Sequence, residues 1–220
     1  MIRYLSYLLS HAIPAYGSVE KNIELREIKS LEKGDSCCAY WVGLENHWGT
    51  HVDCPAHFFA DGMQVDEYGA DFWFFRNPQV LSIHAEPGQI IGVSELSSEI
   101  NPEADLLLLK SGWGKFRGKD IYSLRGPGLD PLVGMWLRKN YPSLRAVGLD
   151  WISLSSHTNR KLGREAHGVF LNPESEGRPI VLIEDMFLPE DMENLKQVWV
   201  VPLRVEGIDS APCTVIGVFE

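Results

Sequence analysis

At 220 residues, with 45% hydrophobic and 23% charged side chains, the chain has the composition of a soluble globular protein long enough to bury a sizeable core. A net charge of −10 without a basic patch argues against nucleic-acid binding, and no apolar run reaches the ~18–20 residues of a membrane span. Four cysteines without a CxxC spacing, two of them adjacent (Cys37, Cys38), suit reduced thiols in a cytoplasmic protein.

The chain opens with a moderately apolar stretch, Ile2 to Leu9, expected as a first strand. His11, Pro14 and Tyr16 interrupt the apolar pattern, so it does not read as a signal peptide. A turn around Pro14-Ala15-Tyr16-Gly17 leads to a second expected strand over Val19 to Ile28. Lys33-Gly34-Asp35 makes a turn, and Cys37 to Gly43 a further strand.

That strand runs into His47-Trp48-Gly49-Thr50-His51-Val52-Asp53-Cys54-Pro55-Ala56-His57. His47, His51, Asp53 and His57 are in phase for one face of an extended chain, where side chains alternate with period 2. Pro55 opposes a helix, and Gly49, Thr50 and Val52 favour extended or irregular backbone. A straight strand nevertheless fails on distance. At ~3.3 Å per residue it carries His47 about 20 Å from Asp53, whereas metal–ligand bonds are only ~2 Å long. A shared site therefore requires the chain to fold back, at Gly49 and again at Pro55. Imidazole and carboxylate donors suit zinc, manganese or iron. The bland alternative is a His-rich turn, and three histidines in phase with an aspartate weigh against it. Cys54 would face away from the histidines and reads as a buried structural thiol.

Further on, Asp61-Gly62 turns the chain, and Tyr68 to Phe75 reads as a short helix or aromatic wall. Gln79 to His84 is an expected strand with His84 as an ordinary strand histidine, and Ser94-Glu95-Leu96 opens a short helix or turn. The four leucines within Ala104 to Lys110 suit a strand buried on both faces. Ser111-Gly112-Trp113-Gly114 is either a pocket wall or a packing corner. After Gly126-Pro127-Gly128, Asp130 is a good N-cap and Pro131 a good first helical residue, predicting a helix over 130–140 that Pro142 stops. Ala146 to Asp150 is a short buried strand, and residues 153–166 read as a polar loop or lid. Ala166 to Leu171 is apolar and contains His167; 172–179 is a polar insert. Ile180 to Glu184 is a strand ending in a carboxylate whose burial would be costly unless paired or metal-bound. Leu188 to Leu195 reads as a helical turn, and Val198 to Val205 and Cys213 to Val218 as the last strands, joined through Gly207-Ile208-Asp209-Ser210. Together these predict a single α+β domain over residues 1–220, centred on sheet.

The 47–57 stretch matches every fixed position of His-x-Gly-Thr-His-x-Asp-x-Pro-x-His. It thereby resembles the cyclase-like metal-dependent hydrolases that include bacterial kynurenine formamidase and isatin hydrolase. Ser111-Gly112-Trp113, Gly126-Pro127-Gly128-Leu129, Gly148-Leu149-Asp150 with Ser153, Ala166-His167, Ile183-Glu184 and the closing Gly207-Ile208-Asp209 to Pro212 extend the resemblance over nearly the whole chain.

The resemblance implies a swivelling β/β/α architecture in homodimers or homotetramers. It implies that His47, His51 and Asp53 bind a first divalent metal. Asp53 would bridge to a second metal held also by His167, with Glu184 contacting both. The metal would be Zn2+, with Mn2+ as the alternative, and two per chain. His57 would be the acid/base, and Tyr16 and Trp113 candidate substrate-binding residues. Trp48, Phe58 and Phe59 are further candidates for aromatic walls or for core. The expected reaction is hydrolysis of an amide or cyclic amide in a small molecule, because a bound metal brings the pKa of water to about 7 and a histidine can protonate the departing amine. A cyclase or lyase reaction on the same site, and a non-catalytic binding protein, are the rival readings.

Overall fold

Leu107 and Leu109 face one hydrophobic core and Leu106 and Leu108 face another. A strand that is apolar at every position must be covered on both sides, and the architecture follows from covering it. The computed structural model describes residues 1–10, 13–21, 23–96 and 100–220; His11, and Asn22 within the second expected strand, lie outside them.

In chain order the strands are β1 (Ile2–Tyr4), β2 (Ile13–Ala15), β3 (Ser18–Lys21), β4 (Glu24–Lys29), β5 (Ala39–Gly43), β6 (His51–Asp53), β7 (Phe74–Phe75), β8 (Pro78–Ser82), β9 (Ile90–Ile91) and β10 (Leu106–Lys110). Helix α1 (Asp120–Arg125), β11 (Gly128–Leu129), helix α2 (Pro131–Asn140), β12 (Ala146–Leu149), helix α3 (Arg160–Leu171), β13 (Val181–Glu184), β14 (Leu195–Pro202) and β15 (Ser210–Phe219) follow.

Among the described residues the main sheet has nine strands, in the order β7-β14-β15-β6-β13-β12-β10-β8, with β1 added alongside β15. The segment β8-β10-β12-β13 is parallel, and β6 lies antiparallel between β13 and β15. Parallel neighbours require crossovers; α1 and α2 lie in one and α3 in the next. Leu107, Leu109, Val147, Leu149 and Leu182 meet Val133 and Leu137 of α2 and Ala166 and Phe170 of α3 on one face. Leu106, Leu108, Val181, Ile183 and Val52 meet Val198, Val200 and Val215 on the other. This is the sheet-rich α+β architecture the sequence led us to expect. No helix among the described residues is long and apolar enough to cross a membrane.

Helix α2 forms as expected, with the Asp130 carboxylate accepting from Leu132 N at 2.8 Å. Other expectations are corrected. The first strand is three residues long, because Leu5 turns into the core and Leu8 stays exposed. The second is divided into β3 and β4. Residues 153–166 are a loop only in their first part: 157–159 form a 3-10 turn, α3 begins at Arg160, and His167 lies inside it rather than at the head of an apolar segment. Its charges at 160, 161, 164 and 165 are exposed while Gly163, Ala166, His167, Phe170 and Leu171 are buried, a 3.6-residue period that overall polarity concealed. Residues 188–194 are irregular rather than helical; Asn194, at φ +63°, turns the chain into β14. Helix α1, with only Tyr122 and Ser123 buried, has too short an apolar stripe to be foreseen.

Candidate metal centre

Strand β6 carries His51 and Asp53 on one face and Val52 on the other, where Val52 enters the second core. In the antiparallel register Glu184 lies directly opposite His51, and Ser210 opposite Asp53. The chain folds back at both places that distance required. Gly49 adopts φ +68°, a conformation that favours glycine, and returns His47 towards β6. Pro55 opens a 3-10 turn, Pro55–His57, that brings His57 around, with the His47 and His57 ring centroids 4.4 Å apart. The remaining imidazole arrives on α3. Gly163 lets that helix approach Ser155 closely, with Ser155 Cα 2.8 Å from where a Cβ would stand.

Tautomers follow from the backbone partners. His51 Nδ1 lies 2.9 Å from Gly49 O, and His167 Nδ1 lies 2.9 Å from Gly163 O and 3.1 Å from Ser155 Oγ. A carbonyl can only accept, so both rings donate from Nδ1 and, when neutral, present bare Nε2 lone pairs inward. Those lone pairs face carboxylates: His51 Nε2 is 3.5 Å from both Asp53 Oδ1 and Glu184 Oε2, and His167 Nε2 is 3.3 Å from Glu184 Oε1 and 3.9 Å from Asp53 Oδ2. Asp53 Oδ1 is buried, and the nearest donor to it is His47 Nδ1 at 3.0 Å, out of line for a good hydrogen bond. Glu184 Oε1 is oriented by Leu154 N at 2.6 Å and Ser153 Oγ at 3.2 Å.

Buried lone pairs facing one another are costly unless protons or a cation lie between them. The donor set, two carboxylates and imidazole nitrogens backed by carbonyls, suits a divalent metal. Without one the cluster holds protons. Burial works against the His47 imidazolium, but Asp209 and Asp53 outweigh it and raise its pKa to about 10. Burial likewise opposes a charged His167, and Glu184 and Asp53 raise it nonetheless. Burial opposes ionisation of Asp53, yet His51, His47 and His57 hold it well below the usual carboxylate range.

His57 is paired separately. Its Nδ1 lies 2.6 Å from Asp209 Oδ2, while Asn46 Nδ2 donates to Asp209 Oδ1 at 3.0 Å. Asp209 also lies 3.6 Å from His47 Nε2. Hydrogen bonds from His47 and His57 hold its carboxyl well below the usual range. Asp209 belongs to the closing motif of the resemblance, but sequence alone assigned it no role in the site. It sits in a polar connection, and only the pairing of Ser210 with Asp53 brings it to the site.

The cluster forms the floor of a cavity of about 310 Å³, walled by Tyr16 and Phe58 and rimmed by Arg160 and Arg164. Phe58 stacks on the His167 ring at 5.1 Å. Trp113 does not line it: at 2% exposure it is a core residue packed on Phe116, the packing-corner alternative. Cys54 is buried in the second core, where burial pushes its thiol up. His84 stands on the surface, beyond the end of β8, beside Glu86.

The model of the Cyclase family, described as "Putative cyclase", matches residues 4–156. Cyclase-like protein 2 of Oryza sativa subsp. japonica is 24% identical over 225 residues, covering 93% of this chain and 75% of that protein. The kynurenine formamidase of Geobacillus thermodenitrificans is 26% identical over 122 residues, 55% of this chain and 54% of that protein. Among solved structures, isatin hydrolase A from Labrenzia aggregata superposes with a TM-score of 0.81 at 19% identity, covering 100% of this chain and 94% of that one.

Proposed function

The chain belongs to the Cyclase family, and from that premise we propose that it is a metal-dependent hydrolase cleaving the C–N bond of an amide or cyclic amide. The observation that carries this reading is the pair of Nε2 lone pairs, on His51 and His167, turned onto the carboxylates of Asp53 and Glu184. The kynurenine formamidase and isatin hydrolase likenesses support the choice of bond.

In this reading His47, His51, Asp53, His167 and Glu184 would hold the divalent metal, zinc or manganese, two per chain. When bound there, the metal would supply Lewis-acid activation of water and of the substrate carbonyl. The chain's own residues do the rest. Tyr16 and Phe58 hold a flat substrate against the floor and keep water from its faces. Asp209 accepts from His57 Nδ1–H, so the other ring nitrogen is the one that gives a proton to the departing amine. Ser153 and Leu154 N orient Glu184.

The antiparallel two-stranded ribbon of β4 and β5, separate from the main sheet, supports a homodimer or homotetramer. Every residue of β4 is exposed, and Leu25, Ile28, Tyr40, Trp41 and Val42 are left uncovered. An isolated two-stranded hairpin is at best marginally stable in water. Sedimentation at micromolar concentration tests the assembly.

The function is tested by elemental analysis of the purified protein, followed by turnover of N-formylkynurenine and isatin. Stoichiometric metal is expected, with isatin gaining the mass of one water and N-formylkynurenine giving its free amine and formate. A protein with no bound metal, or products of unchanged mass, would sink the reading.

A further inference from the structure

Arg160, Arg164 and His167 recur at i, i+4 and i+7 on α3, one face of one helix. The helix that delivers His167 to the cluster therefore brings both guanidinium groups to the same cavity. By the helix rise, the Cα atoms of Arg164 and Arg160 lie about 4.5 Å and about 10.5 Å along the axis from that of His167.

Three arginines of this chain are tied into the fold by their side chains. Arg117 grips Asp185 from Nε at 3.0 Å and from its terminal nitrogen at 2.7 Å. Arg138 donates to the carbonyls of Val169, Ser175, Glu176 and Gly177. Arg145 holds Asp105 and the carbonyls of Phe72 and Phe74. Arg160 and Arg164 are different. Among the described residues neither lies within ion-pair distance of a carboxylate, in a chain with 30 acidic and 20 basic residues. Arg160 instead acts on the Tyr16 phenol, which burial raises and Arg160 pulls back.

The cavity is thus divided by charge. Its floor is built from carboxylates and histidines, and its rim carries two cations that have no ion pair among the described residues. Two guanidinium forks one turn apart can hold a single carboxylate through several charge-assisted hydrogen bonds. A volume of about 310 Å³ suits one ring and its substituents.

We propose that Arg160 and Arg164 are specificity-determining residues that bind a carboxylate on the substrate remote from the scissile amide. The substrates are then acids: formamides or lactams of an aromatic ring that also bears a carboxylate. The carboxylate is a spectator. The C–N bond breaks, the acyl carbon gains the water oxygen, the amine gains a proton, and the rim sets which molecules are positioned for this. The inference rests on the hydrolase reading above.

The test compares formanilide with its ortho, meta and para carboxylates in the metal-loaded full chain. The best carboxylate is expected to exceed formanilide in kcat/KM at least about tenfold, and Arg160→Met/Arg164→Met to bring that ratio to about one. Arg164→Lys should keep part of the preference. Calorimetric binding of ortho-aminobenzoate against aniline provides a readout independent of turnover; the double variant should bind the acid at least about tenfold more weakly at wild-type metal content. Arg164→Met alone, exposed on α3, serves if the double variant fails to fold. If nothing is hydrolysed, the hydrolase reading fails, and calorimetry still decides the anion site. Equal affinity of wild type and variant for the acid, or a wild-type preference for formanilide, overturns the proposal.

Discussion

His57 Nδ1 lies 2.6 Å from Asp209 Oδ2, across 152 residues of sequence. A carboxylate on Nδ1 fixes the tautomer and stabilises the imidazolium form, leaving Nε2 as the atom that exchanges protons. Asp209→Asn is expected to lower kcat by roughly 10–100-fold while metal content is retained. Unchanged kcat with an unchanged pH–rate profile would remove Asp209 from the catalytic arrangement.

His57 itself separates two roles, because His47, Asp53 and His57 also lie close enough together to hold an ion. His57→Ala should keep its metal and lose about 10²–10⁴ in rate. A variant that purifies without metal would make His57 a ligand and leave the proton transfer without a donor.

Metal bound to the folded chain stabilises it by mass action, by about 2.7 kcal/mol at a free concentration a hundred times Kd. Chelation should therefore lower Tm reversibly, and His51→Ala should remove both the metal and the response to added metal. A Tm indifferent to chelator in the wild type would contradict a resident ion.

The metal-free protein should lose stability as pH rises from about 6.5 to about 10. His47 binds its proton more tightly folded than unfolded, between Asp53 and Asp209, with its pKa raised from 6.5 to about 10. Its contribution is complete below the lower value and vanishes as pH climbs through the upper one. Urea midpoints of chelated protein across this range should fall, and His47→Gln should flatten the slope.

Gly163→Ala should damage the site from outside it. The new methyl would collide with the Ser155 side chain and Cα, and Ser155 and Gly163 O both hold His167 Nδ1. Overpacking of this kind costs about 1–3 kcal/mol. A fall in Tm together with weakened metal binding is expected; a fall in Tm alone would show that α3 can shift without moving His167.

Much of the fold was legible locally. Four leucines between Asp105 and Lys110 imply a strand covered on both faces, and Asp130-Pro131 implies a helix start, because burial and capping act over a few residues. Helix α3 was less legible, since its charged face made residues 160–165 look like loop. Trp113 was ambiguous because a Gly-Trp-Gly turn serves a pocket and a core corner equally well.

The donor chemistry of 47–57 can be read along the chain. Four ligand-type side chains lie within eleven residues, and bond lengths require reversals where Gly49 and Pro55 stand. The partners emerge in three dimensions alone: Glu184 opposite His51, Asp209 against His57, and Arg160 and Arg164 beside His167 on one helix face. Backbone sterics and short-range distance act between near neighbours and can be read along the chain. Strand register and helix docking are set by the sum of many weak packing terms across both cores, and no local stretch contains that sum.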